Sequence, residues 1–371
     1  MKILHTADLH IGAELSYLSE KSEERKYEVL EVFKNITSLC RKNGVEICLI
    51  AGDLFDSNAA GRLFAAPVFR AIEEASETRF FLVAGNHDPL DASSPFSEAS
   101  LPENLTVFGT EYETIVLDDL KVRITGRSFA HSSMEFCDMP PMENDEYLNI
   151  LLLHSEFGAA GSVYNPISSS FAENCGADYI ALGHIHKRTK VEKIGNSYIA
   201  YPGCPEGQGF DEAGVKGVYM GELTKDSCKL DFTVCSKRIH LVKTIDLGEV
   251  DSTAQAEKII LHLLEEEFGQ NFRNNLYKLI LTGKSVDPAA VKLPELTAAL
   301  REKLYFVKLK SRIGRKLDLD LLAKEFSLKG IFVRRFLERI KDANEADKAA
   351  LTEAMNLGLE AFETEVGYLE D

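Results

Sequence analysis

The chain contains no apolar run long enough to span a bilayer, and no charged-then-apolar leader pattern precedes Met1-Lys2-Ile3-Leu4-His5, which runs directly into strand-like sequence. These absences predict a cytoplasmic protein. Cysteine is sparse and irregular: Cys40, Cys48, Cys137, Cys175, Cys204, Cys228 and Cys235 are odd in number and never spaced as Cys-x-x-Cys. Neither a disulfide framework nor a thiolate zinc site is suggested, and most of these residues are expected to be small buried side chains. Positive charge is also short, with 42 Lys and Arg against 59 Asp and Glu and a formal net charge of -17. That balance argues against broad, non-specific binding to nucleic acid. No Gly-x-x-x-x-Gly-Lys-Ser/Thr phosphate loop occurs, so any ATP dependence must come from another chain. Internal repeats and low-complexity segments are absent as well.

What is present is ample for a core. The 371 residues are 45% hydrophobic and 27% charged, an ordinary balance for a globular protein of two or three domains. Charge is unevenly placed. Arg301, Lys303, Lys308, Lys310, Arg312, Arg315 and Lys316 crowd one stretch, while the tail from Asp342 to Asp371 is almost wholly acidic. A local field can oppose the net charge, so the basic stretch is either a solvated face or a nucleic-acid contact.

Apolar runs predict strands at Ile3 to Thr6, Val45 to Ala51, Phe80 to Ala84, Leu148 to Leu153 and Tyr179 to Leu182, with helices clearest at Glu23 to Lys42 and Gly61 to Ser76. Alternating segments at Thr114 to Leu117, Lys121 to Thr125, Lys190 to Lys193, Tyr198 to Tyr201, Gly217 to Leu223 and Lys229 to Cys235 read as hairpins of a second, mixed sheet. Two sheets that each need a covered outer face predict an α/β fold of four layers, αββα. After about Leu247 a helix-strand-helix-strand pattern predicts a small separate α/β domain, and from Leu317 onward the spacing is helical. The expected division is residues 1–240, 241–316 and 317–371. The apolar face of the tail either docks on a partner or packs on its own domain.

Five short motifs stand just after apolar strand-like runs: Asp8-Leu9-His10, Gly52-Asp53, Gly85-Asn86-His87-Asp88, His154, and Gly183-His184-Ile185-His186. Sheets of this class deliver functional side chains at the carboxyl ends of their strands. Carboxylates, imidazoles and one amide suit manganese, magnesium or iron, which favour oxygen and nitrogen donors. Two such ions about 3.5–4 Å apart can share one carboxylate and one water, whose lowered pKa makes it a hydroxide nucleophile near neutral pH. Asp53 is the natural bridge. Asp8 and His10 are two apart and would point the same way from extended chain, as would His184 and His186. His87, turned away from Asn86, can face a substrate. Any one of these motifs alone is more often a surface or core feature than a ligand; the ordered set is not. His5, His131, His240 and His262 lack such support and read as ordinary.

These motifs resemble the calcineurin-like metallophosphoesterase superfamily and, within it, the SbcD/Mre11 DNA-repair nucleases, nearest the bacterial SbcD-like or YhaO-type group. The likeness rests on His5-Thr6-Ala7-Asp8-Leu9-His10-Ile11-Gly12, Ala51-Gly52-Asp53-Leu54-Phe55-Asp56 and Ala84-Gly85-Asn86-His87-Asp88. It continues in Tyr201-Pro202-Gly203, Gly209-Phe210-Asp211-Glu212 and Lys216-Gly217. The resemblance implies a nuclease domain, a small α/β cap that helps select DNA, and a homodimer paired through helices of the nuclease domain. It also implies carboxy-terminal helices that dock on an SbcC/Rad50-like coiled-coil ATPase. One Mn2+ would be held by Asp8, His10, Asp53 and His186, and the other by Asp53, Asn86, His154 and His184, with Mg2+ or Fe2+ as alternatives. His87 would stabilise or protonate the leaving oxygen, a task suited to imidazole, and Asp88 would orient His87. Two positions depart from the pattern: Asp56 stands where a histidine is usual, and Cys204 where a serine is common.

The implied activity is a manganese-dependent exo- or endonuclease acting in DNA repair. A small-molecule or cyclic-nucleotide phosphodiesterase would use the same metals. A protein serine/threonine phosphatase fits less well, because Asp56 is followed by Ser57-Asn58 and His87 by Asp88. A metal-free scaffold is opposed by the complete ligand set.

Overall fold

The computed structural model describes residues 1–98 and 100–363. In chain order the first elements are β1 (Lys2–Thr6), α1 (Ser22–Asn43), β2 (Ile47–Ala51), α2 (Asn58–Glu73), β3 (Arg79–Val83), α3 (Pro95–Glu98) and β4 (Leu105–Val107). They are followed by β5 (Glu113–Leu117), β6 (Val122–Arg127), β7 (Leu148–His154), α4 (Ser169–Asn174), β8 (Tyr179–Gly183), β9 (Glu192–Ile194), β10 (Ser197–Ala200), β11 (Gly217–Leu223) and β12 (Cys228–Val234). They build two six-stranded sheets, ordered β12-β11-β1-β2-β3-β4 and β5-β6-β7-β8-β10-β9.

Alternation along the strands makes these sheets a stack. In β2, Ile47, Leu49 and Ala51 point between the sheets, where they meet Ile150 and Leu152 of β7 and Tyr179 and Ala181 of β8. The intervening Cys48 and Ile50 point outward, against Val29, Phe33, Ile36 and Cys40 of α1 and Val68 and Ile72 of α2. On the far side Leu151, Leu153, Ile180 and Leu182 are covered by Phe171 and Ala172 of α4. Both faces of the central strands are therefore apolar, as parallel strands in a covered sheet require. The four-layer αββα order follows.

One placement differs from the sequence reading. Strands β11 and β12 belong to the first sheet, where β11 runs antiparallel to β1, pairing His5 with Tyr219 and Lys2 with Glu222. The hairpin pattern is right, but an antiparallel hairpin carries no local mark of which sheet edge it will extend.

The chain divides into two compact units. The first is Met1–Lys243 with Phe268–Lys278 and Arg301–Lys308, and the second is Thr244–Glu267, Leu279–Leu300 and the chain from Leu309 on. Segments 268–278 and 301–308 group with the first unit because Leu276 and Phe306 share an apolar cluster with Ala13, Leu15 and Leu18.

The remaining elements are β13 (His240–Glu249), α5 (Thr253–Phe268), β14 (Leu276–Ser285), α6 (Leu293–Arg301), β15 (Phe306–Ser311), β16 (Gly314–Arg315), α7 (Leu319–Leu322), α8 (Leu328–Asp342) and α9 (Glu345–Glu363). The third sheet runs β13-β14-β15, with β16 beside β14. Within the second unit Val333 of α8 and Met355 and Leu359 of α9 are buried together, with Leu319, Leu322, Phe332 and Phe336 packed on them. The helical tail thus covers part of its own apolar face, although Leu321, Phe326, Leu328 and Ile331 stay exposed. Residues 364–371 of the expected tail lie outside the described residues. No helix among those described is long and apolar enough to cross a membrane.

Candidate metal centre

All seven candidate ligands stand just beyond, or at, the carboxyl ends of β1, β2, β3, β7 and β8, so strands of both stacked sheets feed one site. The backbone leaves extended geometry to bring them there. Asp8, His10, Asp53 and His184 have φ of 53°, 46°, 48° and 94°, the left-handed region that non-glycine residues rarely adopt. Asp8 and His10 therefore do not share a side by strand alternation, as the sequence reading expected. They converge through turns, pinned by bonds from Asp8 N to Gly52 O at 3.1 Å and from His10 N to Asp53 O at 3.0 Å.

Gly52, with φ of 90°, lies under the imidazole of His154, and a β-carbon there would fall 2.3 Å from its Nδ1. The glycine is needed for both its conformation and its lack of bulk.

The donor atoms form overlapping groups. Within 4.8 Å of one another lie atoms of Asp8, His10 and His186, atoms of Asp8, Asp53 and His154, and atoms of His10, Asp53 and His87; His186, Cys204 and Glu212 form a further group. Asp53 reaches both sides, its Oδ2 standing 3.6 Å from His10 Nε2 and 3.3 Å from His154 Nε2. Its other oxygen accepts from His87 N at 2.9 Å. Asn86 Oδ1 lies 2.9 Å from His154 Nε2 and 3.2 Å from His184 Nδ1.

This arrangement suits cations. His154 Nδ1 donates to Ala51 O at 2.9 Å, so a neutral His154 turns a bare Nε2 toward two oxygens that only accept, those of Asn86 and Asp53. His10 Nε2 and His186 Nε2 likewise face each other at 3.1 Å. Asp8 Oδ1 accepts from His184 N at 2.9 Å, whereas Oδ2, fully buried, has no hydrogen-bond partner among the described residues. Converging acceptors of this kind need a proton or a metal among them. The electrostatics of the protein without metal agree. Burial lowers the pKa of His154, but the nearby Asp53 carboxylate, then Asp8 and the Ala51 carbonyl, outweigh it and hold the imidazole at about 9. Burial likewise opposes ionisation of Asp53, yet the charge and hydrogen bond of His154, then His10 and His87, keep its carboxyl well below the usual carboxylate range. His184, half-buried and beside the His154 charge, is lowered to about 4.

His87 is exposed at the rim, its Nδ1 donating to Asp56 O at 3.1 Å and its ring edge-on to His10, with centroids 4.6 Å apart. That leaves Nε2 to face a ligand. Asp88 does not orient it, contrary to the sequence reading. The Asp88 carboxylate is fully buried and accepts from Gly85 N at 2.8 Å and Phe55 N at 3.0 Å, locking the loop after β3 to the loop after β2. The side chain of a residue next to His87 points to the opposite side, so adjacency in sequence misled.

Two carboxylates that sequence reasoning left without a site role stand behind the candidate ligands. Asp56 Oδ1 lies 3.4 Å from His10 Nδ1, and Glu212 Oε1 accepts a short hydrogen bond from His186 Nδ1. Spacing could have flagged Asp56, three residues beyond Asp53; Glu212 closes the Gly209-Phe210-Asp211-Glu212 segment of the resemblance, but at 26 residues from His186 nothing local ties it to that histidine. Of the histidines set aside, His5 is buried against the Tyr179 hydroxyl at 2.8 Å and His240 against the Tyr17 hydroxyl at 2.7 Å, while His131 and His262 are not buried.

Comparison with known proteins places these features in a family. A model of the calcineurin-like phosphoesterase family matches residues 1–188. The chain is similar to the uncharacterized metallophosphoesterase YhaO of Bacillus subtilis, 27% identical over 292 residues, which are 73% of this chain and 68% of that protein. It is also similar to the DNA double-strand break repair protein Mre11 of Methanopyrus kandleri, 26% identical over 258 residues, 61% of this chain and 54% of the relative. With the SbcD component of the nuclease SbcCD from Escherichia coli it shares 24% identity over 274 residues, 62% and 66% of the two chains. Against the last two the chain spans less than two thirds of the relative's length. The match over half of the chain, the stacked sheets and the acidic, histidine-rich centre at their carboxyl ends agree: this chain belongs to the calcineurin-like phosphoesterase family.

Proposed function

We propose that the protein is a manganese-dependent DNA nuclease that hydrolyses phosphodiester bonds with two divalent cations sharing Asp53. The observation that carries this reading is the position of Asp53 Oδ2, within 3.6 Å of both His10 Nε2 and His154 Nε2. One cation would be held by Asp8, His10, Asp53 and His186, and the other by Asp53, Asn86, His154 and His184. When bound, they would supply Lewis acidity and a hydroxide nucleophile at neutral pH. His87, exposed and with Nε2 turned to the rim, would stabilise or protonate the departing oxygen. Mg2+ or Fe2+ would suit the same donors, since none is a thiolate.

The choice of DNA as substrate draws on the relatives, two of which are named for DNA repair and nuclease activity. In the proposed organisation residues 1–240 carry the chemistry, 241–316 form a cap and 317–371 dock a coiled-coil ATPase of the SbcC/Rad50 kind. The exposure of Phe326, Leu321 and Leu328, apolar residues close in sequence, is what favours docking at this end of the chain. A homodimer and a cytoplasmic location complete the proposal.

The test is cleavage of linear duplex and hairpin DNA by the purified protein with Mn2+, alone and with a co-expressed ATPase. Cleavage that requires the metal supports the reading. Hydrolysis of small diesters with every DNA left intact would replace it with the phosphodiesterase alternative.

A further inference from the structure

The four histidines of the candidate centre are not braced alike. His186 Nδ1 is hydrogen-bonded to Glu212 Oε1, and His10 Nδ1, buried and without a closer partner, faces Asp56 Oδ1 at 3.4 Å. Both of these imidazoles thus turn Nε2 inward with a carboxylate behind the ring. His154 Nδ1 donates to a neutral peptide oxygen, Ala51 O at 2.9 Å, and the carboxylate near that nitrogen, Asp8 Oδ1 at 3.8 Å, belongs to a candidate ligand. His184 presents Nδ1 to Asn86, its ring lies against Tyr164 with centroids 4.5 Å apart, and no carboxylate among the described residues comes within ion-pair distance of it. Carboxylates that are not themselves candidate ligands therefore stand behind the two histidines on the Asp8 side, and among the described residues behind neither histidine on the Asn86 side.

A carboxylate that accepts from the outer ring nitrogen fixes the tautomer, aims the inner lone pair and raises its basicity, which strengthens a metal-ligand bond. A peptide carbonyl fixes the tautomer with less gain in basicity. Glu212 is itself held, since Oε2 accepts from Gln208 N at 2.8 Å with Cys204 Sγ 3.5 Å away. Asp56 is anchored on the loop whose carbonyl receives His87 Nδ1. Among the described residues, neither carboxylate pairs with a histidine of the Asn86 side. The direct ligands differ in the same sense: one side has two carboxylates, Asp8 and Asp53, and the other has Asp53 and a neutral amide.

We infer that Asp56 and Glu212 are positioning residues that make the two cation sites unequal, the Asp8-His10-Asp53-His186 site binding divalent metal more tightly and filling first. This inference rests on the two-cation reading above and adds an order of filling to it. The aspartate at position 56 then has a specific consequence in this chain, since it supplies an anionic brace that a neutral side chain could not.

The experiment is calorimetric titration of the metal-free full-length protein with Mn2+, comparing the natural sequence with D56N and E212Q. Circular dichroism and thermal midpoint serve to show that each variant is folded. The expected result is two classes of site in the natural protein, with the tighter class weakened about 10- to 100-fold in each variant and the weaker class unmoved. A purely structural role would shift both classes together. Two classes with the tighter one unchanged in both variants, or both classes weakened equally, would overturn the inference while leaving the two-cation reading intact. No Mn2+ binding by the natural protein would remove both. E212D, which keeps the charge, is expected to recover part of the loss.

Discussion

Gly85 leaves no room for a side chain beside Asp53: a β-carbon on it would fall 2.1 Å from Asp53 Oδ1 and 2.7 Å from its amide nitrogen. The bridging position of Asp53 thus depends on a residue that has no side-chain donor to offer. Gly85→Ala is expected to push Asp53 out of place, lowering stability by about 1–3 kcal/mol as overpacked sites do, and to abolish binding of the shared cation pair. Urea unfolding and Mn2+ titration check both parts, and normal metal binding in the substituted protein would show that the loop can yield.

His87 is exposed at the rim and is assigned to the leaving group rather than to a cation, so its role can be tested apart from metal binding although a ring nitrogen lies within 4.8 Å of donor atoms of His10 and Asp53. His87→Ala is expected to keep metal occupancy and to lose about 10²- to 10⁴-fold in turnover, the range for removal of a positioned acid or base. Elemental analysis and diester hydrolysis measure the two effects. Normal turnover would take His87 out of the mechanism.

In the metal-free protein the folded-state pKa of His154, about 9, stands above its ordinary 6.5. Its ion pair with Asp53 therefore stabilises the fold fully below pH 6.5 and is lost as pH rises through about 9. His10 and His186 are shifted in the same direction. For His10 the causes are burial, which lowers, overcome by Asp56 and then Asp53; for His186, burial overcome by Glu212 and then Asp8. The thermal midpoint of the chelated protein is expected to fall between pH 6.5 and 9, and saturating Mn2+ to flatten that slope, because metal takes the place of the protons. A midpoint that rises over this interval would contradict the assignment.

The seven candidate donor residues were legible in the sequence because each follows an apolar run, and β-strands of this kind end at a common edge. Their convergence was legible too, but its cause was not. Alternation would have set Asp8 and His10 on one side of a strand, whereas the chain uses left-handed turns at both residues. Asp88 shows the same limit: its neighbours suggested a bond to His87, and its carboxylate is spent on Phe55 N and Gly85 N. Glu212 was hidden by distance along the chain, since only folding brings the segment after β10 beneath His186. The β11–β12 hairpin was recognisable as a hairpin, but its sheet was set by edge pairing with β1 that no local pattern records.

Whether two cations meet at one aspartate can be read from anomalous diffraction of crystals grown with Mn2+. The expected result is two manganese peaks per chain, both within bonding distance of Asp53, one also bound by Asp8, His10 and His186 and the other by Asn86, His154 and His184. A single peak, or two that do not share Asp53, would contradict the shared-aspartate centre.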